Sequence, residues 1–340
     1  MAEGLARALD EMARQHVDVL VLGREGNARF VSEATRLWLA GTRPFAPGCV
    51  VVRETGAVHL LSVTDFGVPA DIPSERLYPM SWNPVRIMSE VAAIPGVSNA
   101  RRIGVDGLTP LFEQLFPAVL PDAQLVDGEI VMRAARRVKS PAEVDRIRAA
   151  IAVAEEAMGA AVEALHPGVR ERELKGVFEG RMCALGTTTP AFEGTFCVVD
   201  DDGPIRRLVS DRTIADGDLV AMSAGALVDG REGSLARTWP CGRLGAPPRD
   251  RLSEWHREWA GLVGECRPGA LVRQLRGKAG ASAHGVGLGY EGLEDNAVLE
   301  AGMVVQLGLE AAGVLGGDMV LIGETGAEQL TTFAYPTVDA

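Results

Sequence analysis

Cysteine is the residue type in this sequence that would first suggest redox or zinc chemistry. Five cysteines occur in a chain of 340 residues, and no two of them form a C-x-x-C pair. An odd number without paired spacing argues against a disulfide framework and against a zinc knuckle. We therefore predict that the cysteines are small buried apolar residues: Cys49, Cys183, Cys197, Cys241 and Cys266.

Clusters of basic residues would indicate a phosphate backbone as partner. The basic runs are short, as at Arg101-Arg102 and Arg136-Arg137, and the formal net charge is -12. A strongly acidic chain is repelled by nucleic acid unless a local basic patch overrides the overall charge. We therefore predict no nucleic-acid partner.

The apolar segments are too short to cross a membrane. The longest, such as residues 17–22, fall far short of the roughly 20 residues that a spanning helix needs. The chain also starts with a charged amphipathic stretch rather than a basic segment followed by an apolar one. The sequence therefore predicts no membrane contact and a cytoplasmic location.

Short β-branched runs alternate with helical patterns in the first third of the chain. This alternation is typical of an α/β domain with a mixed sheet. The predicted strands cover residues 17–22, 50–52, 58–63 and 103–105, and helical stretches cover 85–93 and 111–116.

A capping box marks the start of the second domain. Ser140 can cap a helix, Pro141 suits its first position, and Glu143 completes the box. Apolar residues then recur at steps of three and four until a Pro-Gly pair at 167–168 ends the pattern. Strands and glycine-rich turns follow, which predicts an α+β unit. The predicted domains are residues 1–135 and 136–340.

An ordered series of short motifs spans most of the chain. Their residues are 139–148, 167–174, 217–220, 224–226, 237–238, 284–288 and 302–304. This series resembles the superfamily of creatinase, aminopeptidase P, prolidase and methionine aminopeptidase. The resemblance implies an α+β protein with a pita-bread C-terminal domain, a smaller creatinase-type α/β N-terminal domain, and assembly as a homodimer.

The family that the motifs resemble holds two divalent metals with two aspartates, one histidine and two glutamates. By motif position, only the histidine is kept. The five positions carry Ser223, Ser234, His284, Gly308 and Gly317. These groups bring no formal charge against the four positive charges of two metals, so we predict no metal and no other cofactor. A shifted alignment, which would bring Glu232 or Glu310 to one ligand position, is the alternative.

The family's two acid/base histidines are also replaced. By resemblance the first falls on Arg206 or Arg207, where two guanidiniums would hold a carboxylate or phosphate. Exposed loop charges are the alternative for both arginines, and pairing inside the sheet is the alternative for Arg237. The predicted substrate-binding residues are Arg206, Arg207, Ser223, Ser234, Tyr290, which replaces the second histidine, and Arg237.

His284 is the remaining candidate for proton transfer near neutral pH. Our hypothesis is that His284 acts as acid and base, and that Glu193 or Glu291 orients it or shares its proton. A purely structural turn at His284 and structural or solvated roles for both glutamates are the alternatives.

These residues lead to a functional prediction with two alternatives. We predict a metal-independent pita-bread enzyme, a hydrolase or lyase, that cleaves or rearranges a C–N bond in a small polar substrate derived from an amino acid. The first alternative is a catalytically inactive pita-bread protein used for binding. A metal-dependent Xaa-Pro peptidase ranks last because four of the five ligands are missing.

Overall fold

The computed structural model describes residues 3–35, 47–62, 64–107, 109–200, 204–243 and 245–336. The chain divides into two compact units, Met1–Arg137 and Val138–Ala340. The predicted boundary, between residues 135 and 136, lies close to this division. In the described part of the chain, no helix combines the length and the apolarity that crossing a membrane requires.

The first unit is a six-stranded mixed sheet with helices. Its strands are Val19–Leu22 (β1), Cys49–Val52 (β2), Ala57–Leu61 (β3), Leu77–Tyr78 (β4), Arg102–Val105 (β5) and Gln124–Asp127 (β6). Its helices are Glu3–Arg14 (α1), Glu25–Ser32 (α2), Pro84–Ala93 (α3), Pro110–Val119 (α4) and Gly128–Arg137 (α5). The strand order is β4-β3-β2-β1-β5-β6, with β1 antiparallel to β2 and parallel to β5. The predicted α/β domain with a mixed sheet is confirmed.

Strand β1 is apolar at every position because it lies inside the sheet and is covered on both faces. All four of its residues are buried. Val19 and Val21 belong to a core cluster that contains Ile87 of α3 and Phe112 of α4. Helices α2 and α5 also contact β1. A run of consecutive apolar residues, rather than an alternating pattern, is the expected result of such burial.

The second unit is built on an antiparallel sheet. Its strands are Thr195–Val198 (β7), Leu219–Val228 (β8), Arg231–Pro240 (β9), Ala281–Gly287 (β10), Gly289–Glu291 (β11), Val304–Ala311 (β12), Val314–Ile322 (β13) and Ala327–Gln329 (β14). Its helices are Pro141–Glu163 (α6), Glu171–Ala184 (α7), Ala246–Glu265 (α8) and Val272–Arg276 (α9). The strand order is β11-β10-β12-β13-β9-β8-β7, and β14 pairs with β13.

The capping box at the start of α6 is confirmed. The Ser140 hydroxyl accepts from the Glu143 backbone N–H at 3.4 Å, and the Glu143 carboxylate accepts from the Ser140 N–H at 2.9 Å. Helix α6 then packs closely on β9, where a Cβ on Gly233 would lie 2.1 Å from the backbone of Ala150. Burial of the cysteines is confirmed for four of the five and is wrong for Cys183, which is exposed on α7.

Candidate functional site

The antiparallel register places most of the predicted ligand positions in one row across the second sheet. Ser223 of β8 pairs with Ala236 of β9, which pairs with Gly317 of β13. Gly317 in turn pairs with Gly308 of β12. Residues that lie directly opposite each other on paired strands point to the same face of the sheet. Three of the five predicted positions therefore share one face.

The neighbouring row, two residues along each strand, completes this face. His284 of β10 pairs with Gln306 of β12, and Gln306 pairs with Met319. Ser234 lies two residues before Ala236 on β9, so its side chain shares this face, and its backbone nitrogen lies 3.3 Å from the Met319 sulfur. We call this surface the site face, and its members are Ser223, Ser234, His284, Gln306, Gly308 and Gly317.

Ser234 is engaged with a buried carboxyl group. The side chain of Ser234 is fully buried, and its hydroxyl donates to Glu232 at 2.9 Å. Burial raises the pKa of the Glu232 carboxyl, the Ser234 hydrogen bond partly opposes this, and the charge of Glu291 adds to it. The predicted contact of Ser234 with substrate is therefore corrected, because its hydroxyl is used inside the protein.

Replacing Glu232 by glutamine should stabilise the protein more at neutral pH than at pH 4. A carboxyl whose folded-state pKa is raised opposes folding only above its unfolded pKa of about 4.3, and the penalty grows until the pH passes the folded pKa. Glutamine keeps the acceptor for Ser234 and has no charge. Thermal unfolding of Glu232→Gln and wild type at pH 4 and pH 7.5 measures this, with exposed Glu258→Gln as control. The same difference in Tm at both pH values would contradict it.

Glu291 pairs with a lysine rather than with His284. The ammonium group of Lys139 lies 2.6 Å from the Glu291 carboxylate, and the two side chains are only 3% and 10% exposed. Opposite charges buried this deeply hold each other in place. The hypothesis that Glu291 orients His284 is therefore corrected, because its carboxylate is bound to Lys139.

His284 has a partly buried and uncharged ring. Burial, and to a smaller extent the charge of Arg276, lowers the pKa of His284 to about 4. Its ring lies against that of Tyr290 with 4.8 Å between centroids, and Tyr290 is exposed. Within the described residues, His284 makes no hydrogen bond to a carboxylate. The predicted His–Glu proton-transfer pair is therefore not formed.

The ring of His284 should stay neutral at pH values where a free histidine is protonated. We expect its NMR resonances to titrate near pH 4 instead of about 6.5, because the charged form is desolvated. The His284→Gln variant assigns the resonance by its disappearance, and added N-acetylhistidine gives the reference curve. A midpoint above pH 6 would show that the imidazolium is tolerated on the site face.

Arg206 and Arg207 are both paired with carboxylates of the protein. Arg206 donates to Glu171 at 2.6 Å, and Glu171 is wholly buried and accepts two backbone N–H groups as well. Arg207 forms an ion pair with Glu310. Their guanidiniums therefore do not form the open clamp that we predicted for a carboxylate or phosphate, because their charges are already balanced.

Arg237 belongs to the core of the second unit. Its guanidinium lies 2.8 Å from Asp318, both side chains are 1% exposed, and it donates to the backbone oxygens of Phe333 and Gly317. It also lies over the Tyr335 ring, 3.7 Å from the centroid. The predicted substrate contact of Arg237 is therefore corrected, and the alternative of pairing inside the sheet is confirmed.

The remaining candidates lie in open positions. Glu193 is exposed in the loop before β7, and among the described residues no contact joins it to His284. Ser223 is half-buried in β8. Glu193, Ser223, Tyr290 and His284 are thus predicted site residues whose side chains are at least partly exposed.

The described residues of the site face do not suit the two metals that the family resemblance implies. Across the described ranges, no group of three or more His, Cys, Asp or Glu residues is placed to hold a metal ion. The two carboxylates that a shifted alignment would supply are already engaged, Glu232 with Ser234 and Glu310 with Arg207. Neutral hydroxyl and amide groups bring no negative charge to balance a dication, as carboxylates would.

Comparison with known proteins shows the family. The sequence profile of metallopeptidase family M24 matches residues 145–324. This span is slightly more than half of the chain, and the chain belongs to metallopeptidase family M24.

Relatives and solved structures match nearly the whole chain. The chain is 24% identical over 361 residues to a Xaa-Pro dipeptidase of Pyrococcus horikoshii, and the alignment covers 97% of both chains. It is also 24% identical over 356 residues to a Xaa-Pro dipeptidase of Pyrococcus furiosus, where the alignment covers 97% of this chain and 98% of the relative. The solved prolidase of Pyrococcus horikoshii OT3 superimposes with a TM-score of 0.79 at 20% identity, covering 98% of this chain and 99% of that one. The solved Xaa-Pro dipeptidase of Bacillus anthracis superimposes with a TM-score of 0.80 at 17% identity, covering 98% of both chains.

These likenesses confirm the predicted family and the pita-bread fold. They overturn the predicted function. The chain belongs to a metallopeptidase family and its relatives are Xaa-Pro dipeptidases, so the prediction of a metal-independent hydrolase or lyase is wrong, although the residues of the site face do not match a two-metal ligand set. The peptidase that we ranked last is the class that the relatives support. The homodimer, the cytoplasmic location and the small-molecule substrate stay predictions.

Sequence reasoning missed the partners of Lys139 and Glu232 and the position of Gln306 on the site face. Glu232 is two residues from Ser234, and the period of two in a strand would have placed both on one face. Gln306 is likewise two residues from Gly308. Lys139 lies in a recognised motif, but its partner Glu291 is 152 residues away, and no local pattern joins them.

Proposed function

We propose that this protein is a peptidase that hydrolyses short peptides of the Xaa-Pro type. The observation that carries the proposal is the similarity to the two Pyrococcus Xaa-Pro dipeptidases, which extends over 97% of this chain and so includes both units. Similarity confined to the second unit would support only the wider family M24.

The chemistry of the site face is compatible with this substrate class. In a Xaa-Pro peptide the proline nitrogen has no hydrogen, so the peptide group offers a carbonyl oxygen as acceptor and no donor. Ser223, His284 and Gln306 are each partly exposed on the site face, and none of the three carries a charge at neutral pH. An uncharged polar surface suits a neutral peptide group better than a phosphate or another strong anion.

The test is release of proline from Leu-Pro by the purified full chain, with Leu-Ala as the substrate control. The assay is run on protein as isolated, after chelator treatment, and with added Mn²⁺ or Co²⁺, and the metal content is measured in each sample. We expect a rate at least tenfold higher with Leu-Pro, lost in Ser223→Phe and kept in Ser253→Phe, which adds the same side chain on exposed α8. No release in any of the three conditions by folded protein would overturn the proposal.

A further inference from the structure

Gln306 lies at the centre of the site face. In register it lies between His284 on one neighbouring strand and Met319 on the other. Its side chain is partly exposed. Among the described residues, no hydrogen bond joins its carboxamide to the protein. The acceptor Oε1 and the donor Nε2 can therefore both bind another molecule. A polar group at the centre of the face is therefore available to a ligand.

Two glycines make room for this carboxamide. A Cβ on Gly317 would lie 3.0 Å from Nε2 of Gln306, and a Cβ on Gly308 would lie 3.9 Å from its Oε1. The first distance is shorter than an ordinary van der Waals contact. A side chain at 317 would press on the carboxamide, whereas a Cβ at 308 would only touch it, so the amide of Gln306 lies beside the space that a side chain at 317 would fill.

The surroundings of Gln306 favour a neutral partner over an anion. Arg206, Arg207 and Arg237 are each paired with a carboxylate of the protein. These three arginines therefore offer no unpaired positive charge to the ligand group that lies beside Gln306, whereas a neutral carbonyl oxygen at this position needs only one N–H donor.

We infer that Gln306 binds the peptide carbonyl oxygen of the substrate by donating a hydrogen bond from Nε2. The inference rests on the proposed function, since it names the group of a Xaa-Pro peptide that this residue contacts. Because the proline nitrogen has no hydrogen, the Oε1 acceptor of Gln306 stays free for water or for another donor of the substrate.

The test compares wild type, Gln306→Ala and Gln306→Glu with Leu-Pro and with its thioxo analogue, in which sulfur replaces the peptide oxygen. Loss of one neutral hydrogen bond should raise KM for Leu-Pro roughly three- to tenfold in Gln306→Ala. The glutamate in Gln306→Glu has the same shape as glutamine but no donor at neutral pH, so KM for Leu-Pro should rise as much as in Gln306→Ala. KM should fall again at lower pH, where the protonated carboxyl group can donate. Wild type should prefer the oxygen compound, and Gln306→Ala should lose that preference.

Controls separate the possible failures. Exposed Gln114→Ala in α4 should match wild type, and thermal unfolding verifies that each variant is folded. If folded wild type does not hydrolyse Leu-Pro in any of the three conditions, the proposed function fails and the inference that rests on it fails with it. If wild type hydrolyses Leu-Pro and the Gln306 variants match it in KM and in their preference for Leu-Pro over the thioxo analogue, only the inference is overturned.

Discussion

Arg237→Ala is expected to lower the free energy of unfolding of the second unit by about 3 to 5 kcal/mol. Arg237 and Asp318 are both almost completely buried, and their charges face each other at 2.8 Å. Without the guanidinium, the Asp318 carboxylate keeps its donors Tyr335 and Gln329 but loses the opposite charge. For a unit of this size the loss corresponds to a fall in Tm of roughly 10 °C.

Two further variants test whether the loss of stability in Arg237→Ala comes from leaving a buried charge without its partner. Arg148→Ala breaks an ion pair with Glu328 that is about half exposed, and such pairs contribute at most about 1 kcal/mol. The double variant Arg237→Met with Asp318→Leu removes both buried charges and should be more stable than Arg237→Ala. If Arg237→Ala and Arg148→Ala unfold at the same temperature, the buried pair does not stabilise the fold as we argue.

Lys139→Met should be the second large effect, again about 3 to 5 kcal/mol. The Lys139 side chain is only 3% exposed and neutralises Glu291, whose charge also acts on Glu232. Without the ammonium group of Lys139, the carboxyl groups of Glu291 and Glu232 lose the cation that balances them. Thermal unfolding at pH 7.5 and pH 5 measures the loss, which should be smaller at pH 5 because burial raises the pKa of Glu232 and so favours its uncharged form at the lower pH.

The double variant Lys139→Met with Glu291→Gln separates charge from packing. It removes both charges and keeps side chains of nearly the same size, so it should recover most of the stability that Lys139→Met loses. Lys278→Met breaks an exposed pair with Glu265 and serves as the control. No recovery in the double variant would mean that Lys139 acts through its other contacts rather than through the charge of Glu291.

The local features of the fold were predictable from the sequence because they depend on neighbouring residues. The cap of α6 needs only Ser140 and Glu143, and the mixed sheet of the first unit follows from short runs such as that of β1. The motifs also placed Ser223 and Ser234 on adjacent positions of a site, and the register confirms that both lie on one face.

The partners of charged residues were not predictable, since they depend on which strands meet. Arg206 was expected to face a ligand, and it binds Glu171 from a helix 35 residues earlier. Glu291 was expected beside His284, although the two lie on paired strands whose residues alternate between opposite faces, and Glu291 meets Lys139 instead. A carboxylate and a cation that are far apart in sequence leave no periodic signal when they pair.

The close approach of Gln306 to Gly317 has a consequence for the history of this site. A side chain at position 317 would have its Cβ 2.9 Å from the backbone oxygen of Leu307 and 3.0 Å from Nε2 of Gln306, so a larger residue there requires the strand or the carboxamide to move. We therefore expect related chains that carry a glutamine at 306 to keep glycine at 317.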